Sequence, residues 1–131
     1  MNPKYYKDGA IKPDLVTTDA ERVAKSFIPN GVPELKAAQL RKFYGEVKNL
    51  ELRLKSSADK KATFRQILPL IKLLKAKGAY ACKRKVVPDA FKTWLTTNVD
   101  AVEDIKDFEA FLLYFEAVVG FCYGEAKDNY N

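Results

Sequence analysis

Apolar residues three and four positions apart recur along most of this chain, and no segment shows the alternation typical of a strand. Between residues 39 and 55 they fall on one helical face: Leu40, Phe43, Tyr44, Val47, Leu50 and Leu54. Nearly half of the 131 residues are apolar, which is enough to bury a core in one domain. We therefore predict an all-α fold, a compact bundle of about five helices in a single domain.

Capping and helix-breaking residues set the predicted helix bounds. We expect five helices. The first covers residues 19–28, the second begins at 33–36 and ends at about 55, and the third covers about 60–83. A short fourth helix begins at Pro88, and the last runs from 107 to about 126. A run containing Val99, Val102 and Ile105 is predicted to lie between the last two. Pro69 predicts a kink or a break in the third helix, and Gly78 predicts that another backbone packs closely there.

The first eighteen residues have no sustained periodicity and contain Pro3, Gly9 and Pro13, which disfavour a helix. We predict a mobile, flexible N-terminal tail over residues 1–18 and a helical bundle domain over residues 19–126.

The residue types present argue against catalysis. Histidine is absent, which removes the commonest general base at neutral pH and the commonest metal ligand. Cys82 and Cys122 lie forty residues apart, so we expect no metal site and two small, buried, reduced thiols. No phosphate-loop, nucleophile-elbow or zinc-protease motif occurs. We predict a protein that is not an enzyme and that uses no cofactor.

The net charge of +6 favours an acidic partner such as nucleic acid, an anionic membrane surface or an acidic protein. No apolar stretch approaches the ~20 residues that a membrane helix needs, because lysines interrupt the longest one. Residues 1–19 also lack the apolar segment of a secretory signal. We expect a cytoplasmic protein that makes no contact with a membrane.

Basic residues concentrate in the second and third predicted helices, and acidic residues in the segment 100–116. Arg41, Lys48 and Lys55 are seven residues apart, about 10 Å per step, so they form a row that an extended polyanion could follow. The segregation also suits head-to-tail stacking of identical subunits. A solvated helix surface with charges dispersed around the bundle has the same sequence pattern, so both interpretations stay open.

Three segments occur in a distinctive order: QLRKFYGEVK at 39–48, LPLIK followed by KAKGAYA at 68–81, and FEAVVGF at 115–121. Together they resemble the small subunit of type III-A CRISPR (Csm) interference complexes, over about residues 35–124. The resemblance implies an all-helical, non-catalytic subunit that stacks in several copies along the guide–target RNA duplex during antiviral defence. Its implied partners are guide RNA, target RNA, the repeated backbone subunits, the large subunit and further copies of itself.

Carried over by motif position, the resemblance implies six RNA-binding residues: Arg41, Lys42, Lys48, Lys75, Lys77 and Arg84. Two other hypotheses remain open at this point. A protein-only helical adaptor that grips an acidic partner predicts no salt-sensitive RNA binding. A helical DNA-binding regulator predicts a preference for duplex DNA, and normally a compact recognition helix that the sequence does not show.

Overall fold

Five α-helices make up most of the computed structural model, which describes residues 1–127 and 130. The helices are α1 (Thr18–Phe27), α2 (Ala37–Lys55), α3 (Lys60–Lys83), α4 (Asp89–Ala101) and α5 (Ile105–Glu125). Two short 3₁₀ turns, Pro13–Val16 and Pro29–Gly31, flank α1. The prediction of an all-α bundle of about five helices is confirmed.

Side-chain caps explain where two of the long helices begin. Asp59 Oδ1 accepts a hydrogen bond from the Ala62 backbone N–H at the start of α3, and Asp104 Oδ1 accepts one from Asp107 at the start of α5. α5 therefore begins two residues before Asp107, where the sequence predicted its start. The predicted run between the last two helices is the end of α4, the turn after it and the first residue of α5.

Aromatic side chains from α1, α4 and α5 fill the middle of the bundle. The Phe27 and Phe91 ring centroids are 5.5 Å apart, and those of Trp94 and Phe115 are 5.0 Å apart, both edge to face. α1 packs on α5, α3 packs on α4, and α2 lies against both α3 and α5. This arrangement leaves one side of the α2–α3 pair open to solvent.

The N-terminal residues pack on the bundle and do not form the mobile tail that the sequence predicted. Tyr5 is fully buried, and its hydroxyl donates to Asn98 Oδ1 of α4 at 2.7 Å. Asn2 donates to the Ala101 carbonyl at the end of the same helix. Two short strands, β1 (Tyr6–Lys7) and β2 (Ala10–Ile11), pair through a turn at residues 8 and 9. Both turn residues have positive φ, the conformation that an Asp-Gly hairpin turn requires.

The structure revises two expectations for α3: the break at Pro69, predicted as the alternative to a kink, and the backbone contact at Gly78. The helix continues without a break past Pro69, which lies on its exposed side while Ile67 and Ile71 on either side are buried in the core. Gly78 does meet a close neighbour, but it is a side chain and not a backbone. A Cβ at Gly78 would lie 2.9 Å from Leu95 Cδ2 of α4.

The two cysteines differ in environment. Cys122 is buried, and burial raises the pKa of its thiol to about 12, which makes it an inert core side chain. Cys82 is only half-buried, contrary to expectation. Its Sγ donates to Asp89 Oδ1 at 3.0 Å, and this hydrogen bond raises the pKa of the thiol.

Candidate nucleic-acid interface

The open side of the α2–α3 pair holds a cleft of about 330 Å³. α2 and α3 run antiparallel because the four residues 56–59 join them, so the start of α2 lies beside the end of α3. The polar and aromatic residues that line the cleft are Gln39, Lys42, Phe43, Glu46, Lys77, Tyr80 and Arg84. Three of the six predicted RNA-binding residues, Lys42, Lys77 and Arg84, are therefore brought together.

Cations outnumber carboxylates in this cleft by three to one. Lys77 Nζ lies 2.9 Å from Glu46 Oε2, and both side chains are partly exposed. Such exposed pairs stabilise a protein by only about 0.2–1 kcal/mol, so an anionic ligand can compete for the lysine. Lys42 is exposed and has no ion pair within the part of the chain that the structure describes. The cleft thus presents positive charge to solvent.

Tyr80 projects from α3 at the same cleft, and 65% of its surface is exposed. The Arg84 guanidinium carbon lies 5.5 Å from the centre of its ring, within cation–π range. Tyr80 lies within an apolar stretch of the sequence, which is typical of a core aromatic, but it is not part of the core. Successive side chains of a helix point in different directions, so Tyr80, which precedes the buried Ala81, points away from the core.

The other three predicted residues lie outside the cleft, and each has a partner within the chain. Arg41 Nη1 donates to the Tyr123 hydroxyl of α5 at 3.0 Å. Lys48 Nζ lies 2.6 Å from Glu51 Oε1, and Lys75 Nζ lies 3.1 Å from Asp100 Oδ1. The structure therefore does not gather all six residues into one surface.

Glu51 interrupts the row of cations predicted along α2. It pairs with Lys48 and also lies 3.5 Å from Lys55 Nζ, between two members of the row. Burial opposes the charged form of Glu51, but the hydrogen bond and charge of Lys48 and the charge of Lys55 outweigh burial and lower the pKa of the carboxyl. The hydrogen bond that Lys48 donates to Glu51 raises the pKa of Lys48. Arg41, Lys48 and Lys55 are thus not an uninterrupted cationic ladder.

Some of the basic residues of α3 and the acidic residues of the segment 100–116 pair with each other within the folded chain. Lys72 Nζ donates to the Val99 and Val102 carbonyls at 2.8 and 2.7 Å, at the end of α4, and lies 3.8 Å from Glu103. Lys75 pairs with Asp100. Two acidic residues of the segment 100–116 therefore face lysines of α3 in the same molecule.

Among residues 1–127 and 130, no three carboxylate or thiol side chains come together as a metal site would require. Within the same residues, no helix combines the length and apolar character that crossing a membrane would need.

The fold and the cleft define a class: a small all-α protein with a basic surface cleft between two antiparallel helices. A family model described as Csm2 Type III-A matches residues 10–125, and the chain belongs to this family. It is a small subunit of the type III-A CRISPR complex. Searches of curated proteins and of solved structures found no match.

Proposed function

We propose that this chain is a non-catalytic, RNA-binding structural subunit of the type III-A CRISPR ribonucleoprotein in the cytoplasm. Several copies stack along the guide–target RNA duplex and contact its phosphate backbone through α2 and α3. Base pairing between guide and target supplies the sequence specificity, and the protein recognises backbone charge and duplex shape.

The observation that carries this proposal is the convergence of Lys42, Lys77 and Arg84 on one exposed cleft. Phosphate groups along an RNA strand favour closely spaced cations, since each neutralised phosphate releases a condensed counterion. Arg84 adds a planar guanidinium, which can donate two parallel hydrogen bonds to one phosphate. A surface with this composition suits an RNA backbone.

Arg41, Lys48 and Lys75 remain proposed RNA contacts on the basis of the family resemblance. Each would first have to leave its partner in the chain, Tyr123, Glu51 or Asp100. They also lie outside the cleft that gathers the other three cations, so we assign them a smaller share of the affinity than the three cleft residues. Copies stacked on one RNA would also raise the effective concentration of every site, so modest contacts suffice.

The test is the salt dependence of binding by the full chain to a single-stranded RNA of mixed sequence. Lys42→Gln, Lys77→Gln and Arg84→Gln are compared singly with the unmodified chain. Each true phosphate contact that is lost should reduce the slope of log K against log salt by about 0.7. Lys25→Gln, an exposed lysine of α1 outside the cleft, is the matched control and should leave the slope unchanged. Unchanged slopes in all three cleft variants would refute the assignment.

A further inference from the structure

We infer that Tyr80 is a stacking platform for an unpaired nucleobase, so that the cleft holds one splayed-out nucleotide of the RNA as well as backbone phosphate. This inference rests on the proposed function and specifies the ligand of the same cleft. Its starting observation is the unusual exposure of Tyr80. The aromatic residues of α4 and the Phe27, Phe43 and Phe64 rings are buried, whereas 65% of the Tyr80 surface meets solvent. The ring therefore adds little to the stability of the core.

The surroundings of Tyr80 provide both parts of a nucleotide site. Lys42 and Lys77 line the same cleft and can neutralise a phosphate, while the Tyr80 ring offers a flat apolar surface to a base. Arg84 lies 5.5 Å from the ring centre and is a second planar group on which bases stack. The cleft volume of about 330 Å³ falls at the small end of the range for ligand sites, roughly 300–1,000 Å³. It suits a single nucleotide rather than a length of duplex.

An unpartnered amide at the cleft adds independent support. Gln39 lines the cleft together with Tyr80, and its Oε1 has no hydrogen-bond partner among the described residues although the atom is buried. A buried amide without a partner costs free energy, so a ligand that supplies one is favoured. The polar edges of all four bases carry such donors and acceptors. Because this oxygen is buried, the Gln39 side chain must rotate towards the cleft before a base stacked on Tyr80 can donate to it.

The base must be unpaired, because paired bases in an A-form duplex present neither face to a side chain. Their faces are covered by neighbouring base pairs, and the deep, narrow major groove keeps side chains from their edges. Stacking on an aromatic side chain tolerates any base, so the cleft should show weak sequence preference. The inference therefore predicts recognition of a structural irregularity in the RNA and not of a sequence.

The experiment uses the full chain and two RNA duplexes that differ at one position. The first duplex carries a single bulged nucleotide, and the second carries an abasic residue at the same place, which keeps the phosphate and removes the base. Fluorescence anisotropy gives both affinities for the unmodified chain, Tyr80→Phe, Tyr80→Leu and Lys42→Gln. Circular dichroism checks that each variant is folded.

We expect the unmodified chain to bind the bulged duplex about ten-fold more tightly than the abasic one, the size of one stacking contact. Tyr80→Phe should keep this preference and Tyr80→Leu should abolish it, whereas Lys42→Gln should weaken binding to both duplexes equally. Equal affinity of the unmodified chain for the two duplexes, or a preference that survives in Tyr80→Leu, overturns the inference while leaving the phosphate contacts intact. Absence of salt-sensitive binding to either duplex would overturn the proposed function and this inference together.

Discussion

In the middle of α3, at residues 72–75, Lys72 donates to two carbonyls at the end of α4 and Lys75 pairs with Asp100. At the end of α3, at residues 77–84, Lys77 and Arg84 lie with Tyr80 in an exposed cleft beside α2. The two segments have similar charge, but one faces the α4–α5 turn and the other faces solvent. Position in the bundle, rather than charge, therefore separates Lys72, which holds the end of α4, from the lysine of the cleft.

Replacing the lysine that caps α4 should have the largest effect on stability. Lys72→Met leaves the Val99 and Val102 carbonyls without this donor, and we expect the free energy of unfolding to fall by about 2 kcal/mol. RNA affinity should stay unchanged when it is measured where the variant is fully folded. Urea unfolding measures the first quantity and anisotropy the second.

Lys77→Met is the matched control from the end segment, with an expected stability change within about 0.5 kcal/mol. A stable Lys72→Met variant with weakened RNA binding would reverse the roles that we assign to the two segments.

A substitution at Gly78 tests how closely the end of α3 packs on α4. In Gly78→Ala the new Cβ would lie 2.9 Å from Leu95 Cδ2, which is buried, so overpacking should outweigh the gain in helix propensity. We expect a net loss of about 1 kcal/mol in thermal or urea unfolding. Gly120→Ala is the matched control, because a Cβ there meets nothing within 4 Å. That variant should be more stable by about 0.5–1 kcal/mol. Equal behaviour of the two alanines would contradict the close packing of α3 on α4.

A smaller effect should separate the lysines of the two segments in RNA binding. Lys77→Gln should weaken RNA binding by about five-fold, because Lys77 lies in the cleft with Lys42 and Arg84. Lys75→Gln should weaken it by less than about two-fold, because Lys75 lies outside the cleft, beside Asp100. Both variants should unfold like the unmodified chain. A larger loss in Lys75→Gln than in Lys77→Gln would show that the RNA-binding surface extends from the cleft towards α4. It would contradict the difference that we propose between the two segments of α3.

The smallest effect concerns Cys82 in the end segment. A thiol reagent at pH 8 should modify Cys82 in the folded protein, while Cys122 should react only after unfolding, because burial raises its pKa to about 12. The hydrogen bond to the Asp89 carboxylate raises the pKa of the Cys82 thiol, so Asp89→Asn should lower the pKa and increase the rate of modification. Peptide mapping after labelling identifies the site. Prior reaction of Cys122 would show that the core opens before the end of α3 does.

The helices α2 and α3 could be predicted from sequence closely, because their apolar spacing and the break at 56–59 are local signals. Motif position singled out six basic residues, and the structure brings three of them, Lys42, Lys77 and Arg84, to one cleft that no local sequence pattern predicts. The partners of Lys72 and Lys75 could not be predicted, since they depend on how α3 crosses α4.

The prediction of a mobile tail for the N-terminal segment was wrong for a related reason. Its contacts are single side chains reaching distant helices, as when Tyr5 meets Asn98, and such contacts leave no periodic pattern. Its one local signal was the Asp8-Gly9 pair, which is typical of a hairpin turn. The exposure of Tyr80 could not be predicted from the sequence, because the residue lies within an apolar stretch of α3.

The most direct test of the difference between the two segments is photocrosslinking within the assembled type III-A complex. Target RNA that carries 4-thiouridine would be bound, irradiated and digested, and the modified residues of this subunit mapped by mass spectrometry. We predict crosslinks at residues 77–84, centred on Tyr80, and at the facing part of α2 around Lys42. Crosslinks confined to α1, α4 or α5, with none at the end of α3, would contradict the proposal that the cleft between α2 and α3 contacts RNA.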